Sequence, residues 1–367
     1  MILAAARKGL PDEIERRVGA LSISAMPAFS LDEAGRIFWR EAEVGRLKSS
    51  DQLYRPRIEV VDSDLLTDDH RTRLAERLEQ FLTEHLDTVL GKLVRLSKPE
   101  ELFISQPAGE GNAEADKADG SAESPAELSG AAKGIIFQLY EGLGTVRRQQ
   151  LSDQMKDLSD SDKPLLAKLG IRLGVESLFM PDLLKPAAIR LRLLLFRLHS
   201  GENPQDGLPP EGRVSFENPN DASDAWWRAA GYRPLGSKIM RVDMVERVSA
   251  LIRGEARSGS FSITDDMLSL AGVGREEMGR MICDLGFVQV SETPSETPEK
   301  LPIAIFERPQ KQRRGNKQQK RPSQPKSASQ KHNRKSSGAP HKGRAQKKPE
   351  QIDPNSPFAV LASLKQK

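Results

Sequence analysis

Between Arg308 and Glu350 the chain carries fifteen Lys and Arg residues against one acid, and its only apolar side chains are Ala328, Ala339 and Ala345. Such a stretch repels itself and has nothing to bury, so no core can offset the entropy of ordering it. It is expected to stay disordered as a basic arm, and any core must come from the rest of the chain. The formal net charge is +4 over 367 residues; with +14 in the arm and +1 in the last 17 residues, residues 1–307 are left with −11. An acidic body bears a basic arm.

Composition also divides the body. Residues 107–133 are mostly Ala, Gly, Glu, Asp and Ser with Leu128 as the one large apolar side chain, the make-up of a disordered acidic linker. A second soft segment, SGENPQDGLPPEG, covers 200–212, and SETPSETPEKLP at 291–302 leads into the arm. The expected organisation is a mixed α/β domain over 1–106, the linker 107–133, a helical domain over 134–199, the linker 200–212 and a helical, helix-turn-helix-like domain over 213–290. Disordered chain follows over 291–350, basic from 308, and a short amphipathic terminal helix over 351–367. The fold class is mainly α with a small β element (α+β), built as several helical accessory domains.

Periodicity supports this reading. Leu74, Leu78, Leu82, Leu86 and Leu90 recur at i+4, flanked by Phe81, Val89 and Leu93, which predicts a long helix over 68–96 started by Thr67. Pro11-Asp12-Glu13 reads as a helix start. Ile37–Trp39, Val44–Leu47 and Arg57–Val61 are β-like runs, and Ile171–Phe179 is a β-like or turn-linked excursion. Pro186–His199 and Val242–Ile252 read as helices. Thr264 to Gly272, a break at Val273-Gly274, and Arg275 to Asp284 form a helical hairpin in which Cys283 is expected to be a small core residue.

The chemistry that is missing narrows the function. There is no G-x-x-x-x-G-K-[ST] to cradle phosphates, no H-E-x-x-H and no G-x-S-x-G. Acid pairs such as Asp68-Asp69 and Asp265-Asp266 fit helix first turns. One cysteine excludes an internal disulfide framework, and five scattered histidines suggest no metal site. No run approaches the ~18 apolar residues of a membrane span, and MILAAARKGL is too short in apolar length for a signal-peptide core. No enzyme activity, cofactor, metal or membrane partner is expected, and the expected compartment is the reducing cytoplasm.

What remains is charge. Lys311, Arg313, Arg314, Lys317, Lys320, Arg321, Lys326, Lys331, Arg334 and Lys335 lie in the arm among Gln, Ser, Gly and Pro. Such a chain can follow a phosphate backbone by releasing counterions, and without aromatics it offers no base stacking. These are the candidate nucleic-acid-binding residues. The second helix of the hairpin sets Arg275 and Arg280 against Glu276, Glu277 and Asp284, a mixture poorly suited to reading DNA. At the end of the chain Phe358, Leu361 and Leu364 recur at i, i+3 and i+6, an amphipathic stripe that fits a partner groove.

GRIFWREAEVGRLKSSDQLYRPRIEVV, KLGIRLGVESLFMPDLLKPAAIRLRLLLFRL, AWWRAAGYRPLGSKIMRVDMVERVSALI with ITDDMLSLAGV, and the terminal IDPNSPFAVLASLK occur in that order. Together they resemble the C-terminal accessory region of alphaproteobacterial superfamily-two RNA helicases, which are similar to the mitochondrial degradosome RNA helicase. The most specific piece is Gly170-x-Arg172-x-Gly174 followed by Leu183-Leu184-Lys185-Pro186. In that family two RecA-like motor domains carry the ATP-binding motifs, and none of those motifs occurs here. The resemblance therefore implies an accessory, RNA-directed role without catalysis of its own. A helicase motor chain or an RNA-processing protein would be its partner, and a separate motor chain would complete an ATP-dependent helicase. The reading from another class is a protein-recruiting adaptor that uses the terminal helix and the acidic body.

Lacking a phosphate-cradling loop, the purified chain is expected to show no RNA-stimulated ATP hydrolysis in a coupled assay. Activity that stays with the protein through successive purification steps would contradict this.

Overall fold

The computed structural model describes residues 2–99, 128–293 and 303–309. Its first part begins with α1 (Ile2–Ser22), which continues on both sides of Pro11 where the sequence pattern placed a helix start. Four strands follow, β1 (Phe29–Leu31), β2 (Arg36–Trp39), β3 (Ala42–Lys48) and β4 (Arg57–Val60), paired as an antiparallel meander in chain order. They cover α2 (Asp68–Arg95). Thr67 accepts from the His70 N–H and donates its own N–H to His70 Nδ1, so two groups that a helix start would leave unpaired are satisfied. All five leucines of the i+4 series are buried. An i+4 row drifts around a helix of 3.6 residues per turn, and Phe81 and Leu93 complete the face. Strand β3 presses on this face at Gly45, where a Cβ would stand 2.7 Å from a Leu78 methyl and 3.1 Å from the Glu59 carbonyl.

The linker expected over 107–133 ends sooner than composition indicates: Leu128 and Ala132 are buried and Ser129 caps α3 (Gly130–Glu141), because small residues there pack into the core. Then come β5 (Thr145–Arg147), α4 (Ser152–Asp157), α5 (Asp162–Lys168), β6 (Arg172–Leu173), β7 (Ser177–Phe179) and α6 (Pro186–Ser200). The three strands pair in the order β5-β7-β6. Next are β8 (Ser215–Glu217), α7 (Asp224–Ala230), β9 (Tyr232–Leu235), β10 (Lys238–Arg241) and α8 (Val242–Glu255), with β10 between β8 and β9. The helical hairpin follows as α9 (Asp265–Ala271) and α10 (Arg275–Asp284). Thr264 caps α9 by accepting from the Met267 N–H, and Gly272 closes it in the left-handed region at φ +65°. β11 (Phe261–Ser262), β12 (Val288–Thr293) and β13 (Ile303–Glu307) make a small sheet beside the hairpin in the order β11-β13-β12, so the domain expected to end at 290 with disordered chain after it also takes in 303–307, where Phe306 is fully buried. The architecture is α+β, rich in helix with four small antiparallel sheets among the described residues.

The buried apolar side chains form two clusters. One extends from Val18 through α2, α3 and α6 to Trp227 and Ile239; the other extends from Leu235 through α8, α9 and α10 to Phe306. The hairpin β9–β10 contributes to both. Cys283 departs from expectation because it is exposed: α10 turns Met278, Met281 and Ile282 inward, and position 283 falls beyond that face.

A cation lies inside the first cluster. Arg192 of α6 is completely buried, and among the described residues no carboxylate neutralises it. Its guanidinium donates to the carbonyls of Leu143 (2.9 Å), Leu183 and Ala230 (3.1 Å), and its Nε reaches Ala188 (3.4 Å). Leu143 follows the end of α3, Leu183 lies in the 3₁₀ turn Pro181–Leu184, and Ala230 is the last residue of α7. Helix ends leave carbonyls unpaired and carry partial negative charge, so three such ends take the place of a counter-ion. Burial pushes the guanidinium pKa down to about 10, which leaves it charged at neutral pH. Gly231 permits this convergence: at φ +80° a Cβ there would meet a Leu184 methyl at 2.6 Å and Arg192 Nη2 at 3.2 Å.

Replacing Arg192 with Lys keeps the charge but offers a single nitrogen to three separated carbonyls. R192K is expected to lower the unfolding free energy by about 2–4 kcal/mol, measured as a fall in the urea midpoint at unchanged slope.

Candidate nucleic-acid interface

The cations singled out from the sequence (Lys311, Arg313, Arg314, Lys317, Lys320, Arg321, Lys326, Lys331, Arg334, Lys335) and the stripe Phe358, Leu361 and Leu364 lie outside the described residues. Within the body, charge is unevenly spread. Residues 134–200 hold ten Lys and Arg against seven acids, whereas residues 1–106 hold sixteen against nineteen. The positive segment includes β6 and β7; one cleft is lined by the turn that joins them and another by Arg172 and Phe179 at the far end of the pair.

The larger cleft has a volume of about 560 Å³. Arg147 at the end of β5, Arg148 in the following 3₁₀ turn and Lys156 of α4 line one part of it; Arg233 of β9 and Arg253 of α8 line another. Glu176, in the turn between β6 and β7, is the single acid among the lining residues. Its carboxylate accepts from Arg233 Nη1 at 2.9 Å and from Arg253 Nη2, and its side chain is only 12% exposed. The other cations are held by neighbours: Arg147 by Asp224 (2.7 Å), Lys156 by Asp153 (2.8 Å), and Arg148 by the Gly174 carbonyl (2.8 Å). Met155, Val175 and Leu285 supply the apolar lining, and no aromatic ring takes part.

The smaller cleft, about 300 Å³, is lined by Arg172, Lys185, Arg241 and Arg247 against Asp243. Arg241 and Asp243 form a two-bond ion pair at 2.7 and 2.8 Å. Arg172 and Arg247 are exposed, and neither has a carboxylate within ion-pair distance among the described residues.

The turn between β6 and β7 is held by α8. Glu246 of α8 accepts from three successive backbone N–H groups, those of Val175, Glu176 (3.0 Å) and Ser177 (2.7 Å). Such a run of N–H groups forms a concave anion seat, here filled by the protein's own carboxylate. Burial pushes the Glu246 carboxyl above its ordinary value, and the three donors pull against that rise. Gly174 has a steric role: a Cβ would stand 2.4 Å from both the Glu246 carboxyl carbon and the Ser177 carbonyl oxygen. The Gly170-x-Arg172-x-Gly174 pattern thereby acquires physical content. Gly170 turns the chain at φ +80°, Arg172 faces the smaller cleft, and Gly174 admits Glu246.

The second helix of the hairpin is occupied internally. Glu277 accepts from the Ser237 N–H and Asp284 from the Gly236 N–H (2.7 Å), so α10 caps the β9–β10 turn. Arg280 bridges Glu276 and Glu277, and Arg275 holds Asp265 (2.8 Å). That surface is not a free basic face for a DNA groove.

Sequence reasoning missed the larger cleft. The Arg147-Arg148 doublet was its only local signal; Arg233 and Arg253 sit in another block and meet Glu176 only through folding. Among the described residues no group of acids, histidines and cysteines is arranged to hold a metal, and no helix is long and apolar enough to cross a membrane. Comparison with protein-family models, with curated proteins and with solved structures gives no match.

Two substitutions test the joint. G174A forces the turn off Glu246, and E246Q presents an amide NH2 to N–H donors. Each is expected to cost about 1–3 kcal/mol of stability in urea denaturation, whereas G254A, where a Cβ meets open space, should not destabilise.

Proposed function

We propose that this chain is a non-catalytic, RNA-directed nucleic-acid-binding module of the kind that accompanies a helicase motor, acting in the reducing cytoplasm. The observation that carries this reading is the concentration of cations: fifteen Lys and Arg against one acid over 308–350, in a chain whose first 307 residues are net acidic. An arm of that composition meets phosphates without a preformed site and reads no bases. The arginine-lined clefts beside β6 and β7 support the same reading from within the folded body, because their cations outnumber their acids. RNA rather than DNA rests on the helicase resemblance, and the internally occupied α10 agrees with it, since the second helix of the hairpin is not free to enter a major groove.

If ~6–10 arm cations contact single-stranded RNA, log K should fall with log salt at a slope of roughly −4 to −7. Raising salt from 50 to 200 mM would then weaken binding by about a few hundred-fold to 10⁴-fold, with little sequence preference. Fluorescence anisotropy with a labelled oligouridylate, on the full chain and on a 308–350 deletion, measures this. The deletion should lose most of the affinity and most of the slope. An unchanged affinity and slope would move the interface to the folded body.

A further inference from the structure

We propose that the larger cleft is a phosphodiester-binding site whose resting occupant is the chain's own Glu176 carboxylate, displaced when a nucleic-acid strand binds. The proposal rests on the nucleic-acid reading and assigns it a site in the folded body.

The cleft is built from parts far apart in sequence. Arg147 and Arg148 arrive on the β5 segment, Lys156 on α4, Arg233 on β9 and Arg253 on α8, so five cations surround one acid. Two guanidinium groups closing on one carboxylate is also the arrangement that clamps a phosphate, since both anions present oxygens to planar N–H forks. Glu176 leaves this clamp under-filled. The Nε atoms of both Arg233 and Arg253 are buried without a hydrogen-bond partner, and unmade bonds to charged donors are costly. A phosphodiester presents two anionic oxygens, as a carboxylate does, with two weaker ester oxygens beside them, and it brings its charge from outside the fold. Meanwhile the backbone of the turn stays anchored by Glu246, so the Glu176 side chain can leave without unmaking the turn.

Size and lining indicate which phosphate compound enters. About 560 Å³ lies within the range of ligand-sized pockets and exceeds what a bare ion needs. The apolar lining of Met155, Val175 and Leu285 contains no ring on which a base could stack, so the cleft holds backbone and not nucleobase. A polymer that brings several phosphates past five cations satisfies this site better than one free nucleotide does.

The test uses the full chain. The Met155 ε-methyl NMR signal, assigned by its loss in M155L, reports on the cleft while oligouridylate anisotropy reports total binding. Oligouridylate should shift the Met155 signal. E176Q, which removes the internal competitor, should bind roughly threefold to tenfold tighter at low salt, and R253Q should bind weaker by a similar factor. Thermal melts check that both variants fold, and the Met155 shift in the unsubstituted protein needs neither of them. RNA binding that leaves Met155 unmoved would overturn the cleft as a site while keeping the arm. A Met155 shift with E176Q affinity unchanged would overturn displacement of Glu176. An equal shift from inorganic phosphate at the same phosphate concentration would reduce the site to an adventitious ion only. Absence of any RNA binding would instead overturn the functional reading itself.

Discussion

A guanidinium buried without a carboxylate is the constraint around which the first apolar cluster is arranged. Arg192 can remain charged there only if several strong acceptors reach it, because an unpaired buried charge costs far more than one contact returns. The acceptors are carbonyls at the ends of three separate segments, after α3, in the 181–184 turn and at the end of α7. Each must stop where it does for its carbonyl to point at α6. Gly231 has no Cβ for the same reason. The tryptophan pair of α7 follows from this placement: Trp227 is fully buried beside the end that Arg192 holds.

A second set of charges governs the surface. Glu246 and Glu176 both serve the turn between β6 and β7, one from below through backbone N–H groups, the other from above through two arginines. The first bond set fixes the main chain and the second occupies a side chain only. This difference lets one carboxylate be structural while its neighbour is exchangeable. The two clefts meet opposite ends of the β6–β7 pair: Val175 and Glu176 of the turn line the larger, and the paired residues Arg172 and Phe179 line the smaller.

Local rules made much of the fold legible. The i+4 leucines of α2, the Thr67 and Thr264 caps, the Gly272 stop and the β-like runs around Ile37, Val44 and Ile58 all appear where pattern placed them, because each depends on neighbours within a turn or a strand. Failures occurred where a longer-range partner decided. At Pro11 the helix runs through a residue that usually starts one. At Cys283 an apolar-looking neighbourhood concealed an exposed position, since the rotation of α10 is set by its packing on α9, β9 and β12. Nothing in the local sequence sets Arg192 apart from Arg190 and Arg197; only the three converging carbonyls do.

By itself the sequence determined the α+β character, the segments too poor in apolar residues to build a core, and the concentration of positive charge after residue 307, because composition and short-range periodicity suffice for these. Tertiary structure alone decided which cations meet. Arg233 and Arg253 close on Glu176 in the cleft that Arg147 and Arg148 also line, residues that together span more than a hundred positions of the chain. The physical reason is that a clamp for an anion is a matter of distance and direction in space, and no spacing along the chain encodes it.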